Sequence, residues 1–270
     1  MATTGAYRPV QPGVFVATFY SAGTRTMGAT MDVPAGLTVV TWNAQGSQGL
    51  EIDAAAHALA EFAPDLVILQ EVQHRQVGAL RAVMGARDAR WRFKHWPVKV
   101  PAEGLGIISK FPLRNVRSHR LAHPWEAWNW RRRIAVRAEI EFGGRVIPFV
   151  DVHLGAGVAA AERLRQVGLL LQVAGGASLI AGDLNARPES ADLDEFSQFG
   201  WHDAERRLHG DRTPPATNWH AGPRVKPPTQ RLDYLLVRDR VSVREAFVPE
   251  DWKPWALLSD HLPLVARLGL

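Results

Sequence analysis

The sequence predicts a fold of the α/β or α+β class with more than one layer of secondary structure. Short runs rich in strand-forming residues alternate with segments of helical period from Leu37 to the end of the chain. The chain has 270 residues, and its 46% hydrophobic share, against 22% charged residues, allows a sizeable buried core. We find no linker, so we assign residues 37–270 to one domain and residues 1–36, which show no clear period, to an N-terminal extension.

The order of the elements supports this class. Residues 37–42 form a β-rich run, and residues 52–62 place apolar side chains at spacings of three and four, which is typical of one face of a helix. A second helix is predicted over residues 159–173, and residues 209–231 hold several Gly and Pro without a period, which indicates a long loop. Further strands are predicted at residues 65–69, 91–96, 105–109, 134–140, 146–152, 179–181, 232–237, 241–247 and 262–268.

The composition excludes several kinds of site. The chain contains no cysteine, which rules out disulfides, zinc–thiolate sites, iron–sulfur clusters and cysteine nucleophiles. Its formal net charge of +5 favours polyanionic partners, although a solvated arginine-rich surface without a partner explains the charge equally well. No apolar run approaches the roughly 18 residues of a membrane span, and the N-terminus makes a poor secretory signal. We therefore expect a cytoplasmic protein, monomeric by default.

Polar side chains stand at one end of six predicted strands. The residues that follow the earlier strands are Asn43, Glu71, His153, Asp183 and Asn185. Two later strands reverse the order, because Asp233 precedes residues 234–237, and Asp260 and His261 precede residues 262–268. If these two strands run opposite to the earlier ones, all these side chains meet at one edge. Carboxylates, amides and water suit a hard cation, so the pattern predicts a site for Mg²⁺ or Mn²⁺.

Each of these residues alone also has a structural explanation. An Asp or Asn after a strand usually makes a turn, a lone Glu is usually solvated, and a lone His is usually a satisfied structural residue. The choice between a turn and a functional site is clearest at Asp183 and Asn185. These residues, two positions apart, follow an apolar run in the segment SLIAGDLNARPES (178–190). Six separate strands carry polar side chains at this end, which favours a functional cluster.

A series of motifs in this order resembles that of the endonuclease/exonuclease/phosphatase superfamily, which includes pancreatic-type deoxyribonuclease, abasic-site endonucleases, bacterial sphingomyelinases and inositol polyphosphate 5-phosphatases. The motifs are TWNAQG (41–46), LQEV (69–72), GLGIISK (104–110), DVHLG (151–155), AGDLNA (181–186), RLDYLLV (231–237) and LSDHLPL (258–264). The resemblance implies a four-layer α-β-β-α sandwich, in which helices flank two packed mixed β-sheets. It also implies phosphoester hydrolysis with Mg²⁺ or Mn²⁺ as cofactor.

The resemblance implies a role for each residue of the cluster. Glu71 would be the principal metal ligand, with Asn43 beside it and Asp260 near the metal. Asp183 and Asn185 would position and help to activate the attacking water, and Asn185 would also touch the phosphate.

The two histidines would approach the phosphate from opposite sides. Asp233 would orient His261, which would contact a phosphoryl oxygen or act as the base, while His153 would face the phosphate from the other side. A carboxylate behind an imidazole fixes its tautomer and stabilises the imidazolium. Which group is the base stays open at this point. Arg133, just before a predicted strand, is the candidate phosphate clamp, with Arg132 as the alternative and a solvated basic turn as the structural explanation.

The reaction class is better defined than the substrate. The His of DVHLG argues against the abasic-site endonucleases, and the long substrate-reading motifs of the inositol-phosphatase branch are absent. Nucleic acid is the favoured phosphoester substrate because the net charge is positive and because WRFKHW (91–96) and WEAWNWRRR (125–133) combine Trp with basic residues. The first segment reads more simply as a half-buried strand, and the second could instead enter lipid headgroups or pack onto the domain. A phosphodiesterase or phosphatase acting on lipid or on a small phosphoester is therefore the alternative to a nuclease.

Two other classes of protein share part of this pattern. Asp151-Val-His153 followed by GDLN faintly resembles the opening motifs of the binuclear metallophosphoesterases, but the later motifs of that class are absent. A catalytically inactive binding module of the same fold would be expected to have lost a metal ligand or a base, whereas this chain retains every candidate.

Overall fold

The fold is described by a computed structural model over residues 36–95, 102–122, 133–210, 212–219 and 224–270. Only Gly36 of the predicted extension lies within these residues, so the division of the chain after residue 36 stays a prediction. Arg132 and most of the segment 125–133, including its three tryptophans, also lie outside the described residues. No helix in the described ranges is long and apolar enough to cross a membrane.

Two mixed β-sheets of six strands each form the centre of the described structure. The first contains β1 (Leu37–Asn43), β2 (Leu66–Val72), β3 (Asp88–His95), β4 (Glu103–Ser109), β11 (Ser242–Phe247) and β12 (Leu264–Gly269). The second contains β5 (Arg114–Arg120), β6 (Ile134–Phe142), β7 (Arg145–His153), β8 (Leu179–Asp183), β9 (His202–Asp203) and β10 (Asp233–Val237). The strand orders are β11-β12-β1-β2-β4-β3 and β5-β6-β7-β8-β10-β9.

Helices flank both sheets, which confirms the predicted four-layer sandwich. They are α1 (Ile52–Ala60), α2 (His74–Val83), α3 (Ala160–Val173), α4 (Ala191–Gln198), α5 (Ala204–His209) and α6 (Lys253–Ala256). Leu59 of α1 and Leu80 of α2 belong to the larger hydrophobic core, which joins the two sheets. Leu170 of α3 and Phe196 of α4 belong to a second core on the other side of the second sheet.

The central strands are buried on both faces. In β8, Leu179 and Ala181 pack into the larger core, while Ile180 between them packs into the second core. Phe149 and Val150 of β7 divide in the same way. A strand covered on both faces reads as a continuous apolar run, without the alternation of a half-exposed strand.

The strand directions bring the polar strand ends to one edge. β1 runs parallel to β2, and β7 runs parallel to β8. β12 is antiparallel to β1, and β10 is antiparallel to β8. The carboxyl ends of β1, β2, β7 and β8 therefore lie at the same edge as the amino ends of β10 and β12, as the reversed order of polar residues in the sequence predicts.

Some elements differ from the sequence prediction. The strand expected to end at Leu69 continues to Val72, with a register irregularity against β4. Four helices (α2, α4, α5 and α6) and two strands (β5 and β9) were not predicted. β5 lies at the edge of its sheet with mostly exposed polar side chains, so it has no apolar alternation. The helix α2 begins with a capping box formed by Gln73 and Gln76, a pair that carries the same geometry as the commoner Ser/Glu pair.

The glycine before Asp183 should be required for β7 and β8 to approach each other. Gly182 has a φ of 146°, and a Cβ on it would lie 1.9 Å from the Val152 carbonyl oxygen. Gly182→Ala should therefore lower the free energy of unfolding by about 2 kcal/mol or more, since overpacking and backbone strain each cost about 1–3 kcal/mol. Urea denaturation measures this change.

Gly168→Ala is the matched control, because Gly168 lies within α3 and a Cβ there would meet nothing within 4 Å. This control should be neutral or stabilising by up to about 1 kcal/mol. Equal stability of the two variants would contradict the close approach.

Candidate active site

Glu71 leaves the ladder of β2 through an irregular backbone conformation. Its φ is 52°, in the left-handed region, and it lies within the register irregularity of β2 against β4. The side chain of the preceding Gln70 is buried and donates hydrogen bonds to Asp151 Oδ1 at 3.0 Å and to Thr41 Oγ1 at 3.3 Å. The irregularity lets the Glu71 carboxylate, 27% exposed, reach the edge while Gln70 stays in the core.

His261 and Asp233 form a buried dyad. His261 Nδ1 lies 2.8 Å from Asp233 Oδ2, so the ring donates to the carboxylate. The backbone of His261 is fixed on both sides, because its N–H donates to Ser259 Oγ at 3.1 Å and its carbonyl accepts from Trp42 Nε1 at 2.9 Å. Burial alone would lower the pKa of His261, but the charges of Asp233 and Asp183 outweigh burial and raise it to about 10. The ring is therefore a cation at neutral pH.

Asp183 lies between the two histidines. Its Oδ2 is 3.5 Å from His153 Nε2 and 3.9 Å from His261 Nε2. It accepts hydrogen bonds from Asn43 Nδ2 at 3.0 Å and from the backbone N–H of Asn185 at 2.8 Å. Burial raises the pKa of Asp183 to about 7, although the nearby His261 cation opposes this shift. A carboxylate with a pKa near neutrality suits proton transfer.

The turn after β8 shows whether Asp183 and Asn185 of the segment 178–190 serve the turn or the site. Asp183 Oδ1 accepts from the backbone of Asn185, whose φ of 49° makes the tight turn, so the turn explanation is correct locally. The other carboxylate oxygen faces the histidines. Asn185 Nδ2 donates to the Leu154 carbonyl at 3.1 Å, which ties the turn to the end of β7. The same residues therefore form the turn and line the candidate site.

His153 has a partner that the sequence analysis missed. Lys94 Nζ lies 2.8 Å from His153 Nδ1 and 4.0 Å from Glu71 Oε1, and its side chain is completely buried. Burial, reinforced by the Arg133 charge, lowers the pKa of Lys94 to about 8. The alternation of β3 gave no signal for this role, because it places Lys94 on the face opposite Trp91, whose Nε1 donates to the Val72 carbonyl.

Arg133 is buried close to this group. Its positive charge lowers the pKa of Lys94, and it opposes the rise in the pKa of Glu103, which burial and the negative charge of Glu71 produce. Glu103 was not singled out in the sequence analysis, where it lay one residue before the GLGIISK motif. The structure thus places the arginine beside a lysine and a glutamate of the candidate site.

Asp260 lies at the rim of the same edge, half-buried. Burial raises the pKa of Asp260, and the negative charge of Glu71 adds to the shift while His261 opposes it. Its backbone carbonyl accepts from Trp219 N at 3.0 Å and from Asn218 Nδ2 at 3.2 Å. The middle of the predicted long loop therefore holds this segment in place.

Two sets of side chains could hold a cation. Asp183, Asp233 and His261 each place one ligand atom within 4.8 Å of the others. The hydrogen bond of 2.8 Å between His261 Nδ1 and Asp233 Oδ2 argues against this set, because it already uses one possible ligand atom of each residue.

The second set consists of Glu71, Asn43 and Asp260, and it fits a hard cation better. All three offer oxygen ligands, and the Glu71 carboxylate is partly exposed to solvent. Asn43 pairs with Gln70 across β1 and β2, so it lies beside the end of β2 that carries Glu71. The charge of Glu71 helps to raise the pKa of Asp260, and a cation between them would relieve this repulsion.

Comparison with known proteins identifies the relatives of this chain. The sequence profile of the Endonuclease/Exonuclease/phosphatase family matches residues 40–261. No curated protein sequence matches the chain significantly. An endonuclease/exonuclease/phosphatase family protein from Leptotrichia buccalis has a similar structure, with 16% identity, a TM-score of 0.71, and 87% of this chain and 100% of that chain covered.

Two further solved structures resemble this one. The catalytic domain of human Nocturnin, with a bound sulfate anion, is 24% identical, with a TM-score of 0.69, and 88% of this chain and 96% of that chain are covered. A mannosyl-6-phosphatase of Bacteroides thetaiotaomicron is 17% identical, with a TM-score of 0.68, and 87% of this chain and 100% of that chain are covered. Because the family profile matches most of the sequence, and because the fold agrees, this chain belongs to the endonuclease/exonuclease/phosphatase family.

Proposed function

We propose that the chain is a Mg²⁺- or Mn²⁺-dependent phosphodiesterase that hydrolyses nucleic acid. The family to which it belongs consists of phosphoesterases. One observation carries the proposal, namely the convergence of both histidines on Asp183 beside Glu71. His153 Nε2 lies 3.8 Å from Glu71 Oε1 and 3.5 Å from Asp183 Oδ2, and His261 Nε2 lies 3.9 Å from the same Asp183 oxygen.

The site residues suit attack by water on a phosphate. A cation held by Glu71, Asn43 and Asp260 would supply Lewis-acid polarisation of a phosphoryl oxygen. Asp183 is the base, because its pKa of about 7 lets its carboxylate accept a proton from water near neutral pH. Asn185, next to it in the turn, orients the water and contacts the phosphate.

The two imidazoles stabilise the charge that develops on the phosphoryl oxygens. His261 is held as a cation by Asp233, so its Nε2–H donates a charge-assisted hydrogen bond. His153 approaches from the β7 side of Asp183. This assignment makes Asp183, and not His261, the group that takes the proton from water.

Several observations support nucleic acid as the substrate. The net charge of +5 favours a polyanion, and Arg133 adds a buried positive charge close to the site residues Lys94 and Glu103. The Nocturnin structure contains sulfate, which has the tetrahedral shape of phosphate. A small phosphomonoester is the second candidate substrate, because one structural neighbour is a mannosyl-6-phosphatase.

A panel of phosphoesters tests the proposed function. Supercoiled plasmid DNA, single-stranded RNA, bis-p-nitrophenyl phosphate, sphingomyelin vesicles and mannose 6-phosphate should be incubated with the protein in Mg²⁺, in Mn²⁺ and in EDTA. We expect cleavage of DNA or RNA that EDTA abolishes. Release of inorganic phosphate from mannose 6-phosphate alone would support the second candidate, and activity that survives EDTA would contradict the metal dependence.

Removal of the principal ligand should abolish activity without unfolding the protein. Glu71→Gln keeps the size of the side chain and removes its charge, so we expect the rate with Mg²⁺ to fall by more than about 100-fold, since loss of even an outer-shell partner of a metal costs about 10–100-fold. Circular dichroism should remain unchanged. Glu61→Gln, an exposed position at the end of α1, is the control and should retain full activity. Equal rates for the two variants would rule out Glu71 as a ligand.

The His261 dyad should make stability depend on pH. Between about pH 6.5, the unfolded pKa, and about 10, the folded pKa, the folded protein holds a proton that the unfolded chain has lost. The dyad's stabilisation is therefore complete below pH 6.5, and each pH unit in this window removes about 1.4 kcal/mol. Urea unfolding in EDTA between pH 6.5 and 8, with Asp183→Asn in both proteins so that Asp183 does not titrate in this window, should show a shallower decline for His261→Gln than for the wild-type histidine.

The upper limit of pH 8 avoids the titration of Lys94, whose pKa is lowered to about 8 and which adds a slope of opposite sign above that pH. His57→Gln, at an exposed position of α1, should keep the wild-type slope. A slope that is the same in His261→Gln and in the wild type would show that Asp233 does not hold the histidine as a cation.

A further inference from the structure

Lys94 is a charged side chain without solvent contact at the candidate active site. It lies on β3, and none of its side chain is exposed. Burial of an ammonium is costly unless it is paired and hydrogen-bonded. Its Nζ lies 2.8 Å from His153 Nδ1 and 4.0 Å from Glu71 Oε1. The lysine therefore forms an ion pair with Glu71 and a hydrogen bond with His153, two residues of the site.

The chemistry of the ammonium determines the direction of this hydrogen bond. A lysine ammonium has three donors and no acceptor, so it donates to an imidazole nitrogen that carries a lone pair. The acceptor in His153 is Nδ1, which leaves the ring proton on Nε2. Nε2 is the nitrogen that faces the carboxylates of Glu71 and Asp183, at 3.8 and 3.5 Å. The proton of His153 is therefore on the reaction side.

The two histidines consequently differ in the hydrogen-bonding role of Nδ1, their inner ring nitrogen. In His261, the inner nitrogen donates to the Asp233 carboxylate, which favours the imidazolium. In His153, the inner nitrogen accepts from the Lys94 ammonium, which opposes a second proton on that ring. Nδ1 is thus a donor in His261 and an acceptor in His153.

We propose that Lys94 is a positioning residue that fixes His153 as the neutral Nε2–H tautomer, so that His153 donates a hydrogen bond to a phosphoryl oxygen and does not act as a base. This inference rests on the proposed phosphoester hydrolysis. It assigns the proton transfer to Asp183 alone, since His153 presents no free lone pair towards the site.

Lys94→Met tests the proposal because methionine keeps most of the volume of lysine and removes its donors. Nδ1 of His153 then loses the hydrogen bond from Lys94, and the ring should populate both tautomers. We expect kcat to fall by about 10–100-fold, the loss typical of residues that orient a catalytic group, with a change in KM of less than about threefold. The Mg²⁺ concentration that gives half of the full rate should not rise, because loss of the ammonium 4.0 Å from Glu71 removes a competing positive charge; damage to Glu71 would raise it.

A readout independent of turnover comes from ¹⁵N NMR of the histidine rings at pH 7 in the presence of Mg²⁺, with His153 assigned from His153→Gln. The wild type should show an unprotonated Nδ1 and a protonated Nε2, and Lys94→Met should show averaged shifts. Lys110→Met is the matched control, because Lys110 is half-exposed and contacts Asp65 at 3.2 Å. It should leave kcat and the His153 resonances unchanged.

Three results would overturn the proposal. They are a proton on Nδ1 of His153 in the wild type, unchanged tautomer populations in Lys94→Met, and an unchanged kcat in a variant whose tautomers have shifted. Lys94→Gln, which retains a shorter donor, should recover part of both the tautomer preference and kcat, and recovery of neither would also count against the hydrogen bond. If no phosphoester is cleaved by the wild type, the proposed function fails, and with it the catalytic part of the inference. The NMR result would then still decide the tautomer.

Discussion

The pairing register of β8 is the constraint on which the site depends. His153 at the end of β7 and Asp233 at the start of β10 both lie opposite Asp183 at the end of β8. Because side chains alternate between the faces of a strand, a shift of one residue in either pair would turn one of these groups away from the others. The first sheet joins this row through the hydrogen bond from Asn43 to Asp183. The chemistry of the edge is thus a property of backbone pairing before it is a property of side chains.

The charges at this edge are stabilised by one another. Asp183 and His261 are almost fully buried, and Lys94 is completely so, which would be costly for any one of them alone. Each lies next to a group of opposite charge or a hydrogen-bonding partner. In space, the row runs from Asp233 through His261, Asp183 and His153 to Lys94. Removal of one member leaves its neighbours unpaired, so the effects of substitutions within this row will not add. Arg231, two residues before Asp233, fixes one end of the row. Its guanidinium donates to both carboxylate oxygens of Asp203, at 2.7 and 2.8 Å.

Much of this arrangement was accessible from the sequence. The apolar runs located the central strands, and the reversal of polar residues around Asp233 and His261 predicted the antiparallel strands correctly. The left-handed backbone at Glu71 was not predictable, because Glu does not favour that conformation and tertiary pairing imposes it. Lys94 was missed for a different reason. A lysine in an alternating strand reads as an exposed residue, and only the second sheet, far away in sequence, makes its face an interior one.

The backbone conformation of two site residues has a cost for the whole molecule. Glu71 and Asn185 both have positive φ values, of 52° and 49°. Sparsely populated conformations of this kind cost about 1–3 kcal/mol each, less for asparagine, which tolerates the left-handed region. Glycine would relieve the strain at either position but would remove the carboxylate or the amide. The protein is therefore expected to be less stable than its fold permits. Selection for thermostability without selection for activity would favour substitutions at Glu71 and Asn185, the positions that the reaction requires.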